Sequence, residues 1–367
     1  MTCTATSLVT IMSICTSWAQ GGVDETWWMT GRDLGFADAV QTLPPLETYK
    51  PPAWAGGPGG GDEDDGGGGG GSTDPTIPTY YGWMSPGLEG AWTFEGNSYL
   101  GQGATITVVD DFSSRDKIRA NLGDGKDRLR HGEWTLKQAG MVAPKATMVE
   151  DDFYNGSAIT LTDGFDILNL SYGYTAPLDR ELEFSIVEAA REGTALIAKS
   201  AGNNKGSEVG YNGGEVYDYL SLALINDLEA VTFGENGEYI NFDPVIFAGA
   251  MDWNMVGTGD PDSAIAYYSS VAGSDPRVQR QFLVVGVEAA SNAYSFGTGL
   301  AGTSFAAPVI AGYGAVLSSK FQDTATPTLV AKRLLETAHS NFSGYNIAVH
   351  GQGEADILAA IAPDALD

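Results

Sequence analysis

The sequence predicts an α/β protein with a mostly parallel central sheet and helices on both faces. Three observations predict it. Short runs of β-branched and apolar residues recur from Ala104 to Val287, a stretch between two of them has helical spacing, and helix start and stop signals lie outside the runs. Ala104–Val109 (ATITVV) is apolar without strict alternation, as a strand covered on both faces is, and it ends in Asp110-Asp111. Ala146–Val149, Asp166–Leu170, Ala195–Ala198 and Phe282–Val287 read the same way. Asp179–Glu192 carries Leu182, Ile186 and Ala190 at helical spacing, with Gly193 where a C-cap belongs. A second helix is predicted from Thr326-Pro327, cap then first-turn proline, through Leu329, Leu334 and Leu335 towards His339. In such sheets the active residues collect beyond the carboxyl ends of strands, so the residues that follow each run are the ones to inspect.

The 367 residues are enough for one large domain and an appendage. Nineteen Lys and Arg stand against 47 Asp and Glu, a formal charge of -28. That surface repels phosphate backbones, which argues against nucleic acid as a partner, and it favours solubility. Leu8–Cys15 is apolar but too brief to span a bilayer. Ser17-Trp18-Ala19 sets small residues where a signal peptidase reads, although no Lys or Arg precedes Arg32. The expected division is therefore a signal peptide at 1–19, a Trp- and Gly-rich segment with an acidic linker at 20–78, and the globular domain at 79–367. Both cysteines, Cys3 and Cys15, lie in the leader, and Cys15 has a poor context for acylation. A cleaved chain would have no thiol, disulfide or Cys metal ligand. Gly56–Ser72 is a flexible linker by composition; no Gly-Lys-Ser/Thr follows its glycines, so it is not a phosphate loop.

Four places beyond the runs carry chemistry. They are Asp110, His131-Gly132, Ala201-Gly202-Asn203-Asn204, and Gly302-Thr303-Ser304-Phe305-Ala306-Ala307-Pro308. The last opens an apolar helix, so Ser304 is expected at a helix N-terminus, where backbone N–H groups favour a developing anion. Ala306 and Ala307 are small enough for close approach, and Pro308 lacks only a donor that a first turn does not use. In order and content these places resemble the motifs of the subtilisin-like serine peptidases, the subtilases. The resemblance covers about Thr79–Pro363 and implies a subtilisin-like fold and a secreted serine endopeptidase. Its triad would be Asp110, His131 and Ser304, its oxyanion donor Asn203, and one wall of its first specificity pocket Ser171, Tyr172 and Gly173.

Two departures accompany the resemblance. The family usually reads His-Gly-Thr-His-Val-Ala-Gly, whereas this chain reads His131-Gly132-Glu133-Trp134-Thr135. Met141-Val142-Ala143-Pro144, similar to the family's Gly-Val-Ala-Pro, follows so soon that a loop bearing calcium in many subtilases is absent. Of the other histidines, His339 and His350 both follow Ser304 and fall outside the family order; Asp111 reads as a solvated acid or a loop cap. Gly351-Gln352-Gly353 with Ala355–Leu358 resembles the closing turn and helix of bacterial subtilases. No cofactor is expected. Asp260 and Asp262 are conceivable calcium ligands but read better as an acidic surface loop. The partners implied are protein or peptide substrates, with no membrane span and a monomeric state. Two alternatives remain: a catalytically inactive subtilase fold that binds, and a sedolisin-type acid peptidase, which would use a glutamate in place of the histidine.

Overall fold

The computed structural model describes residues 77–366 except 82, 86, 236, 252–264 and 287–299, together with the backbone of a short strand, Met29–Thr30. Its centre is a six-stranded sheet. The strands are β1 (Ala104–Asp110), β2 (Thr147–Asp152), β3 (Phe165–Leu170), β4 (Ala195–Ser200), β5 (Val245–Met251) and β6 (Phe282–Gly286). They lie in the order β6-β5-β4-β3-β1-β2, and every neighbouring pair is parallel. The five expected runs are five of these strands, and β5 is the one the sequence reading missed. Signal peptide, linker, Asp260 and Asp262 all lie outside the described residues.

Side chains alternate between the faces of a strand, and here both faces are core. Ile106, Val108, Ile167, Leu196 and Ile246 point to one cluster, shared with helices α1 (His131–Val142), α4 (Ala307–Lys320) and α5 (Pro327–Glu336). Val109, Leu168, Leu170, Ile197 and Phe247 point to the other, shared with α2 (Glu181–Glu192) and α3 (Tyr219–Asp227). The two helices expected from spacing and caps are α2 and α5, and the apolar helix expected after Ser304 is α4. Gly193 ends α2 in the left-handed region at φ 67°, and the Thr326 hydroxyl accepts from Leu329 N to start α5. α5 stops at Glu336, short of His339.

The strand order decides where a site can form. From β1 the chain first moves outward to the edge strand β2, then returns to the other side of β1 and builds β3 to β6 in sequence. The loops leaving β1 and β3 therefore diverge and open a crevice at their carboxyl ends. Asp110 ends β1, and Ser171 follows the last residue of β3.

Candidate active site

Asp110 is buried at that crevice, and its carboxylate is held from several sides. Oδ1 accepts from Asp111 N at 2.7 Å and lies 2.6 Å from His131 Nδ1. Oδ2 accepts from the Thr135 hydroxyl at 3.1 Å. Asp111, expected to be a solvated acid or a loop cap, is buried and caps the loop: its Oδ1 accepts from Ser113 N and Ser114 N.

His131 reaches Asp110 because α1 starts there. The sequence predicts no element over this stretch; the structure has a twelve-residue helix. Gly132 donates its N–H to Asp111 O at 3.1 Å, and a Cβ at that position would sit 2.7 Å from the same oxygen. Only glycine lets the helix start pass so close to the end of β1. The residues that depart from the family pattern each do a local job. Glu133 Oε2 accepts from Arg130 N at 2.6 Å and Oε1 pairs with the Arg130 guanidinium at 2.8 Å, which ties the first turn. Trp134 is buried and donates Nε1–H to Ile118 O at 3.0 Å. Glu133, the carboxylate on this helix that a sedolisin-like reading would need, is thus turned to Arg130.

Ser304 is also buried. It sits on a 3-10 turn, Thr303–Phe305, that leads into α4, rather than in the first turn of α4 itself. Gly302 enters that turn at φ 127°, a value that side-chain-bearing residues avoid. Two hydrogen bonds lock the turn to the end of β3: Ser304 Oγ donates to Ser171 O at 3.0 Å, and Ser171 Oγ donates to Ser304 O at 2.8 Å. Phe305 packs its ring 5.7 Å from that of His131, so the serine turn and the histidine helix meet directly.

Asn203 follows β4. Its Oδ1 accepts from Thr303 N at 2.8 Å and from the Thr303 hydroxyl at 3.1 Å. Two donors on one oxygen fix which way round the amide lies, with its NH2 turned away from Thr303. Tyr172 has its side chain committed to the core: its ring lies 5.2 Å from Phe153, and its hydroxyl is 3.4 Å from Glu183 Oε1. Burial first, and then the Glu183 charge, push that hydroxyl well above the usual tyrosine range. In Ser171–Gly173 the two side chains are thus engaged, and mainly backbone is left for further contacts.

The sequence reading missed two groups near the site. Thr135 is one; it lies one helical turn from His131. Lys199 is the other, fully buried in β4 four residues before Asn203, with Nζ 3.0 Å from Asp218 Oδ2. Burial pulls its pKa below that of an ordinary lysine, and Asp218 opposes this. Asp218 Oδ1 also accepts from Tyr174 N at 2.9 Å, so one carboxylate joins β4 to the segment after Gly173. A lysine inside the apolar run ALIAKS was the available signal. Among the described residues, no three His, Cys, Asp or Glu side chains gather as metal ligands, and no helix is long and apolar enough to cross a membrane.

A model of the subtilase family matches residues 125–354, well over half of the chain. The chain belongs to the subtilase family. The match includes His131, Asn203 and Ser304; Asp110 lies before it. Mycosin-4 of Mycobacterium tuberculosis is 28% identical over 237 residues, 61% of this chain and 48% of the relative. This subtilase thus spans about half the length of that curated relative. Among solved structures, MycP1 from Mycobacterium smegmatis is 18% identical with a TM-score of 0.39, over 76% of this chain and 84% of the other. A protease from Pseudoalteromonas arctica is 17% identical with a TM-score of 0.41, over 75% and 93%.

Proposed function

We propose that this subtilase is a secreted serine endopeptidase that cleaves peptide bonds through Asp110, His131 and Ser304 by way of an acyl-enzyme. The observation that carries the reading is the buried 2.6 Å contact between Asp110 and His131, set in the same crevice as Ser304. With Nδ1 facing the carboxylate, the imidazole has Nε2 on its far side as the base. On attack, the Ser304 proton now given to Ser171 O goes to His131 Nε2 while Oγ bonds to the peptide carbonyl carbon. The carbonyl oxygen becomes an anion, which the Asn203 NH2 and the Ser304 N–H receive. His131 then protonates the amine as the C–N bond breaks, and water repeats the cycle on the ester. The Ser171–Gly173 backbone would pair with the substrate chain as an added strand. No cofactor takes part in these steps. Secretion is supported by the leader-like residues 1–19.

A fluorophosphonate should label Ser304 and no other residue. Ser304→Ala should abolish labelling and lower peptide hydrolysis by something on the order of 10⁶-fold, the scale known for a subtilisin serine. Undiminished turnover in that variant ends the reading.

A further inference from the structure

We propose that Thr135 is a positioning residue that braces Asp110 for His131; the proposal rests on the triad reading above. The buried stripe of α1 includes His131, Thr135, Gln138, Ala139 and Val142, so Thr135 stands one turn along from His131 and faces the same way. One helix therefore reaches the Asp110 carboxylate twice. His131 Nδ1 takes Oδ1 at 2.6 Å, and the Thr135 hydroxyl takes Oδ2 at 3.1 Å. Asp111 N holds Oδ1 from the strand side at 2.7 Å. Contacts on both oxygens stop the carboxylate from turning about its Cβ–Cγ bond, which keeps Oδ1 in line with the ring. The hydroxyl has one proton and a second acceptor at the same distance, Gly132 O at 3.1 Å. An ionised oxygen is the stronger acceptor, and a helical carbonyl already has the N–H four residues on. Asp110 and Thr135 are both buried, so an Oδ2 stripped of this bond would be left poorly compensated.

The brace is a property of this chain. In the family's usual run, the place four residues after the histidine is valine, which has threonine's shape but no proton to donate. Here the same spot carries threonine.

Thr135→Val keeps the shape and removes the proton; Thr135→Ser keeps the proton and removes a methyl. In the full-length protein, Thr135→Val should lower kcat for a peptide substrate about tenfold with KM changed by less than about twofold. Thr135→Ser should recover most of the loss. The low-field proton resonance of His131 Nδ1–H should move in the valine variant and stay in place in the serine variant. An unchanged kcat in Thr135→Val, a serine variant as impaired as the valine one, or a resonance that ignores both changes would each overturn the brace. The resonance needs no turnover. If the parent cleaves nothing while the resonance still responds to Thr135→Val, the peptidase reading falls and the brace stands. If the parent cleaves and the resonance does not respond, the reverse holds.

Discussion

At the carboxyl end of the sheet two chain segments approach one another, each leading into a helix and each bearing a residue of the proposed triad. The approach to α4 keeps the family sequence almost residue by residue from Gly302 to Pro308, and its backbone explains why. Gly302 takes a φ only glycine accepts readily, and the buried Ala306 and Ala307 let the turn lie against its neighbours. The start of α1 keeps only His131-Gly132. Its next three residues are replaced by a different set that closes the first turn on Arg130, anchors the helix on Ile118 and reaches Asp110. What the proposed chemistry fixes is the backbone path under the two side chains. The groups that hold the path can be exchanged.

That contrast can be broken at several points. Asn203→Ala acts on the serine side and should cut kcat by roughly 10²–10³ with little change in KM, because the amide acts mainly on the transition state. It also frees Thr303 N, so some loss of thermal stability should accompany it. A change confined to KM would move Asn203 to substrate binding. Gly132→Ala acts on the histidine side. The new methyl must displace Asp111 O or the helix start, and a displacement near 1 Å should cost roughly 10² in kcat. If Gly132→Ala retains full activity, the fixed path on that side is wrong.

Glu354 serves as a control outside both segments. Burial, reinforced by Asp356, raises its pKa from 4.5 to about 8. The folded state then holds the proton more tightly than the unfolded chain, and stability is lost as pH rises between about 4.5 and 8. Glu354→Gln should flatten melting temperature against pH across that window and raise it at the alkaline end, by an amount worth roughly a few kcal/mol. Its kcat should not change. A melting profile as steep as the parent's would show that Glu354 does not titrate in this way. The smallest effect concerns Phe305, where a methionine would be open to oxidation beside the nucleophile. Dilute peroxide should leave the parent's kcat nearly intact and inactivate Phe305→Met, with sulfoxides mapped by mass spectrometry. Rapid loss in the parent would assign control of the site to another methionine.

Much of this was legible in the residues. Continuous apolar runs gave five strands because both faces of the sheet are covered, and the Ser304 segment was readable because its small residues are dictated by backbone geometry. β5 was not: VIFAGAM opens on Val, Ile and Phe, but its second half brings in alanine and glycine, which carry little strand preference. α1 was hidden for another reason. Its buried stripe contains His131, Thr135 and Gln138, so a polar site interrupts the apolar period, and two glycines lower the helical propensity. Thr135 could be seen only once the helix was known. Ser171 was placed by resemblance, but its reciprocal bonds with Ser304 join residues far apart in the chain, and nothing local announces them.

The sheet's parallel order has a consequence for how the protein comes into being. Each neighbouring pair of strands needs a long crossover, so few native contacts can form early and folding should be slow. α4 lies across the middle of one face, packed on β1, β3, β4 and β5 and against α1, yet it is made after all six strands. Until synthesis passes residue 320, most of that face beyond α1 is bare and the Ser304 turn has no helix to anchor it. A chain emerging from the ribosome therefore carries a finished set of strands with an open apolar side, a state prone to aggregate and suited to a chaperone's hold. It also lacks the Ser304 turn against the end of β3. Release of the residues that follow β6 closes the core and seats the Ser304 turn against the end of β3 in one event.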